Sequence, residues 1–474
     1  MKKQLIYAAL AAACALPAAI LPVDDAKALF NVPPAGKPEA YTAQTDVPSG
    51  SAIAFDRRNR PYIVNAVDPA SYGYVSTIEN GKWVKRDFTA ALKAIGIDVL
   101  KPDLRTVQTR AMASFDADDN LYILIAVPRQ VKDGVDLNGN LVLLYSGDHG
   151  KTFKAYPTES RPYLGAIESS SSGRIPAGPP ALFRGVHREK LGGEGVTYSD
   201  VGVQKLDFCA LNRFDVILPE KTADGLKLPK ALVLTDRANG IASHSGANNI
   251  AARADGKLFI AYIEVPADPA TGGNPTFVAE VDLAKREITG RQLVANATPL
   301  VSDGHSCPTM VLSSKGELDL VTGSHGWGPK HPGFLFLRSL KPLDLTCWSE
   351  PERLGAGQSY VDAVIDSHDN IYIAYRVHPQ LRIQKYDRKA GKWLPPVSLL
   401  EYTPSRQSNG TLTYTVFYHH LFIDRKDNLY VKALFHDFNT GLKGKFPLMW
   451  LVSSDGGKNW RIPDTAWINA NLAE

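Results

Sequence analysis

Short runs in which apolar and polar residues alternate recur along this chain, each closed by a polar turn of Asp, Asn or Gly. A period of two is that of a β-strand with one buried face, and turns this frequent predict antiparallel sheets rather than helices. Clear starts are Ala52-Ile53-Ala54-Phe55-Asp56, Ala111 to Asp116 and Asn249 to Asp255, then Thr309 to Leu312, Asp362 to Asp366 and His420 to Asp424. After each start come a turn, further strands and a trailing aromatic, among them Trp83, Phe153, Trp348, Trp393 and Trp460. Repeats spaced by roughly 45–70 residues suit four-stranded blades. Six repeats are plain, and a seventh is expected between 205 and 240, where Phe214 to Leu218 and Ala231 to Thr235 read as strands. The expected fold is therefore an all-β, seven-bladed β-propeller of four-stranded antiparallel blades, with six or eight blades as alternatives. It forms a single domain over residues 29–474. The stretch from Pro162 to Ser199, rich in Ser, Pro and Gly and poor in periodicity, reads as a long inserted loop region at about 160–205.

The N-terminus departs from this pattern. Lys2 and Lys3 precede an apolar run from Leu5 to Pro22, and Ala26-Lys27-Ala28 offers a cleavage site, so residues 1–28 read as a signal peptide. The expectation is a secreted or periplasmic monomer with no integral membrane segment once the signal is removed. An uncleaved anchor is the alternative. Beyond residue 28 three cysteines remain, Cys209, Cys307 and Cys347. Three do not make a disulfide framework, although Cys307 and Cys347 are near enough in sequence to pair. Of the 474 residues, 44% are hydrophobic, enough for a large core, and the formal net charge is only +4. Basic residues are scattered, which excludes a nucleic-acid partner on charge grounds.

Candidate chemistry appears at one position of the repeat. In Gly316 to His325, Asp369 to His378 and Asp427 to His436, a histidine falls seven residues after the first apolar position. In a blade, residues just before the first strand and just after the second share one face. The first set is His244, His305, Tyr360 and His419 or His420. The second is His325, Arg376, His378 and His436, with Trp327 just beyond and Glu264 closing the second strand of the fourth repeat. One such residue alone is ordinarily structural, but their joint placement predicts a pocket on this rim. Histidines spread one per blade, with few carboxylates near, do not suit a catalytic metal. No cofactor is expected to be required, with a structural metal ion left open. No G-x-S-x-G elbow points to a serine nucleophile.

Two turns carry a more specific pattern. Ser146-Gly147-Asp148-His149-Gly150-Lys151-Thr152-Phe153 fits S-x-D-x-G-x-T-[FW], and Ser453 to Trp460 fits it with Asn459 for Thr. These Asp-box turns resemble those of the BNR-repeat propellers, the sialidase-like superfamily, and they speak to fold rather than to activity. The stretch from Asp303-Gly304-His305-Ser306-Cys307-Pro308 through Gly323-Ser324-His325-Gly326-Trp327, continuing to Trp348, is similar to the ulvan-lyase-type polysaccharide lyases of that group. The likeness spans roughly residues 240 to 440. It rests on two histidines twenty residues apart, a Tyr opening the next blade and an Arg sixteen residues on, here His305, His325, Tyr360 and Arg376.

The resemblance implies β-elimination at a uronic acid of an acidic polysaccharide. His305 would be the base and Tyr360 the acid, or the reverse. His325 would bind or orient the carboxylate and Arg376 would neutralise it. His244, Trp327, His378, His420 and His436 would line the substrate groove. The extra imidazoles and the expected insertion depart from the family pattern and leave the polysaccharide open. Two other functions stand beside this one. Gly173-Arg174-Ile175-Pro176 resembles an element of the sialidase-type hydrolases, though it lies late in the chain. A non-catalytic carbohydrate-binding propeller is the other, since one fold hosts many functions.

Overall fold

The computed structural model describes residues 51–65, 73–97, 111–131, 134–158, 165–170, 175–190, 210–239, 249–268, 273–297, 304–325, 331–377, 380–399, 412–415, 421–437, 449–461, 463 and 465–472. Its strands form seven antiparallel blades, nearly all running from an inner to an outer strand in chain order. The first blade is Ser51–Phe55, Pro61–Asn65, Tyr74–Glu79 and Lys82–Asp87. The fifth is Thr309–Leu312, Leu318–Thr322, Pro332–Arg338 and Glu352–Ala356. The sixth opens with Gln358–Ile365, Ile371–Val377 and Gln380–Asp387. The inner strands of neighbouring blades adjoin around a common centre.

The inner strands are buried on both faces because each packs between two neighbours. Ala111–Phe115, Thr309–Leu312 and Gln358–Ile365 are buried along their whole length. The trailing aromatics fill the gaps between blades. Trp83 and Phe153 pack on one apolar cluster, and Trp460, Trp348 and Trp393 each pack on another.

The third blade corrects the sequence reading. Two strands within the stretch expected as an insertion, Gly165–Ile167 and Leu182–Lys190, are its inner pair. Ala210–Ile217 and Leu232–Ala238, expected as the start of a hidden repeat, are its outer pair. A small hairpin, Glu220–Thr222 with Gly225–Lys227, interrupts the blade between those outer strands. The pattern was weak here because the innermost strand has only three residues, Gly165, Ala166 and Ile167.

The ring closes between the first and seventh blades through side chains and turns. In the seventh blade Leu429–Asp437 pairs with Leu412–Thr415 and Leu421–Ile423 along one edge and with Met449–Ser453 along the other. Phe422, Tyr430, Trp450 and Val452 of that blade share one buried cluster with Phe55, Tyr62 and Ile63 of the first. The C-terminal helix Thr465–Asn471 adds Trp467 and Ile468 to the cluster, with the Trp467 ring edge-on to Tyr430 at 5.8 Å. Among the described residues no helix is long and apolar enough to cross a membrane.

Turns on one face link blade to blade. Asp56, Asp116, Asp366 and Asp424 each accept two backbone N–H bonds from their own turn, from residues two and four further on. The residue three further on takes a left-handed conformation: Asn59, Asp119, Asp369 and Asp427, with φ of 65°, 59°, 63° and 62°. Its side chain accepts an N–H from the neighbouring blade's turn. Arg57 donates to Asp119 (2.8 Å), Ser314 to Asp369 (2.6 Å), Ser367 to Asp427 (3.0 Å) and, across the closure, Arg425 to Asn59 (2.7 Å).

Candidate active site

His305 precedes the inner strand of the fifth blade, and His325 follows the second strand, so antiparallel pairing of Thr309 with Val321 returns both to one rim. Their rings stack at 4.4 Å between centroids with an interplanar angle of 23°. The sixth blade supplies the other half. Tyr360 lies in its inner strand and Arg376 in its second, where Ser359 pairs with Arg376. The Tyr360 hydroxyl is 3.1 Å from His325 Nε2, and the Arg376 guanidinium sits over the Tyr360 ring at 4.2 Å.

Tyr360 reaches this position through a break in the ladder. Register shifts between Ser359 and Asp362, leaving Tyr360 and Val361 in a β-bulge, and Tyr360 has φ of +61°. An aromatic residue at positive φ is strained by about 1–3 kcal/mol, and bulges re-aim side chains next to sites. A regular strand would set Tyr360 by simple alternation; the bulge turns it instead toward His325. Ser324, beside His325, also has positive φ, +72°. Strained backbone on both sides of the His325–Tyr360 contact is what over-determined sites display.

His305 and His325 are partly exposed, whereas Tyr360 and Arg376 are buried. Burial lowers the Arg376 pKa from its ordinary value, opposed by its interaction with Tyr360. The cluster thus holds a permanent cation against a phenol, the phenol against one imidazole, and that imidazole against a second. This set can move a proton at two points while stabilising negative charge between them.

The remaining predicted residues divide. His244, Trp327, His378, His419 and His420 lie outside the described residues. His436 falls in Leu429–Asp437, its backbone paired with Thr413, and its side chain lies outside the description as well. Glu264 is not part of the cluster: it is buried and ion-paired with Arg291, which also donates to the Tyr262 hydroxyl at 2.7 Å. His149 is exposed within its Asp-box turn. Cys347 is a free thiol, so the Cys307–Cys347 pair is not bridged. Among the described residues no three His, Cys, Asp or Glu side chains group as metal ligands. The supporting residues Ser324 and Gln358 were not foreseen, and only the position of Ser324 inside Gly323-Ser324-His325 hinted at them.

A cavity of about 440 Å³ lies elsewhere, lined by Glu168, Arg253, Ala254, Asp255 and Leu312 at the turn end of the inner strands. Two of its charges are paired with each other, since Arg253 forks onto Glu168 at 2.6 and 2.9 Å. Shape favours that cavity, but the cluster of His305, His325 and Tyr360 is at the opposite rim, and chemistry decides the assignment.

No protein-family model and no curated protein sequence matches the chain. Solved structures do match. An ulvan lyase from a new family of polysaccharide lyases is 17% identical, with 47% of this chain and 56% of that one covered and a TM-score of 0.38. An α-L-arabinofuranosidase from Fusarium graminearum is 14% identical over 73% of this chain and 94% of its own, with a TM-score of 0.39. A mutant of NanB sialidase from Streptococcus pneumoniae is 10% identical over 82% of each chain, at 0.42. The chain spans a little over half the length of the ulvan lyase. The three proteins act differently, and likenesses at this level assign no activity.

Proposed function

We propose that this protein is a polysaccharide lyase that cleaves a uronic-acid-containing acidic polysaccharide by β-elimination. One observation carries the reading: His305, His325, Tyr360 and Arg376, drawn from two blades, meet in a single contiguous cluster. His305, the partly exposed outer imidazole, removes the proton on C5 of the uronate. The released electron pair forms the C4–C5 double bond and expels the C4 oxygen. Tyr360 protonates that oxygen as it leaves. Such a carbon acid yields its proton only when the adjacent carboxylate is neutralised, and Arg376 supplies a charge that persists at every working pH. His325, stacked on one partner and within hydrogen-bond distance of the other, orients both.

The test follows the ultraviolet absorbance of the conjugated product while the protein meets ulvan, glycosaminoglycans, alginate and pectin in turn. A rise on one polymer that is lost in His305→Ala and in Tyr360→Phe is expected, each with a drop of at least about 10²-fold in kcat. A flat trace on every polymer with folded wild-type protein sinks the lyase reading and leaves hydrolysis or binding.

A further inference from the structure

We infer that Ser324 is a positioning residue: its hydroxyl clamps the fifth blade to the sixth and thereby sets the His325–Tyr360 contact. The inference rests on the proposed site, but its first readout does not depend on which reaction that site performs.

Ser324 is buried, and its Oγ lies 2.6 Å from the Pro332 carbonyl oxygen and 2.7 Å from that of Gln358. These acceptors belong to different blades. Pro332 begins the third strand of the fifth blade, and Gln358 begins the inner strand of the sixth. One step along the chain from Ser324 is His325, and two steps from Gln358 is Tyr360. The hydroxyl has one proton to give, and donated to Gln358 it ties together the two chain segments that carry the two partners of the 3.1 Å contact, with the Pro332 carbonyl as the competing acceptor.

The surroundings are built to the same end. Gln358 is also buried, and its Oε1 accepts the Phe334 N–H at 3.0 Å, a second tie across the same seam. Between these ties sits Gly333, where a Cβ would lie 2.2 Å from the Leu354 carbonyl oxygen and 2.6 Å from Gln358 Oε1. Only glycine lets the strands approach so closely. At φ of +72° Ser324 holds a backbone conformation that glycine would hold more easily. Serine at this place thus supplies a hydroxyl at some backbone cost, which a purely conformational role does not require.

The experiment compares Ser324→Ala, Ser324→Gly and Tyr360→Phe with wild type in the full chain. Circular dichroism and thermal unfolding establish that each variant is folded. The ¹⁵N shift of His325 Nε2 at fixed neutral pH, assigned through His325→Gln, reports the bond to Tyr360. Removing the hydroxyl is expected to move that shift toward the Tyr360→Phe value in both Ser324 variants. It is also expected to lower kcat by about tenfold to a hundredfold with KM little changed, the signature of misplaced catalytic groups. A wild-type shift in Ser324→Ala overturns the inference. So does Ser324→Gly behaving as wild type, because backbone conformation rather than the hydroxyl would then be what matters. If wild-type protein acts on no uronate polymer, the lyase reading fails, and the ¹⁵N shift alone decides the clamp.

Discussion

Asp116 shows how much rests on single side chains in this fold. It is fully buried, and it accepts hydrogen bonds from its own turn, from Asn120 and from the Tyr122 hydroxyl, while Lys221 of the inserted hairpin pairs with it at 2.7 Å. Burial pushes its pKa up, but the bonds from Lys221, Asn120 and Tyr122 outweigh burial and hold it below the ordinary 3.8. A folded-state pKa below the unfolded one means that Asp116 stabilises the fold above the unfolded value, and that this is lost as pH falls through the folded value. Asp116→Asn is expected to destabilise by about 1–2 kcal/mol at neutral pH, because the charge-assisted bonds onto the carboxylate are weakened while Lys221, partly exposed, keeps Asp118 at 2.6 Å. The loss should shrink on acidification below the ordinary aspartate range. Urea unfolding of both proteins across that range checks it, and a pH-independent difference would show that the charge is not what matters. At this scale the sequence was partly legible. His305, His325, Tyr360 and Arg376 stood out by spacing, and the structure brings them together. The positive φ of Tyr360 and Ser324 did not, because a left-handed backbone is forecast by residue type for Gly and, more weakly, Asn, Asp and His, not for Tyr or Ser.

The strand-and-turn unit was legible wherever alternation was long. Asp56, Asp116, Asp366 and Asp424 all stood at the ends of foreseen strands, yet the residue three further on carries the connection between blades. Asn59 makes this testable. It accepts from Arg425 N–H and donates to Asp424 Oδ2 at 3.3 Å, both across the ring closure. Asn59→Gly keeps the left-handed turn and removes the bonds, for an expected loss of about 1–2 kcal/mol. Asn59→Ala adds about 1–2 kcal/mol of backbone strain. Equal stability of the two variants in urea would show that the turn tolerates alanine and that only the bonds count. Alternation failed in the third blade for a physical reason: a three-residue inner strand is too short to show a period, and the hairpin at 220–227 splits the outer pair.

At the scale of the molecule, the ring is held by packing between residues far apart in sequence, which no local pattern could reveal. Trp467 and Ile468 insert a helix into the cluster shared by the first and seventh blades. Trp467→Ala is expected to cost about 3–5 kcal/mol, as for other large core truncations. Because that loss falls at the closure, amide exchange should quicken first in Ser51–Phe55 and Leu421–Ile423, and last in Lys257–Ile263 across the ring. Uniform acceleration in all three would mean that the blades open as one unit. The two faces also differ in kind. One carries the linked turns, and the other carries the strand ends that bring His305 and His325 together. Lys315 lies exposed in the turn between Thr309–Leu312 and Leu318–Thr322, a full strand length from either histidine. A protein immobilised on a bead through that lysine would present its histidine rim to the surrounding liquid, so long polymers too bulky to slip beneath it would still find the imidazoles.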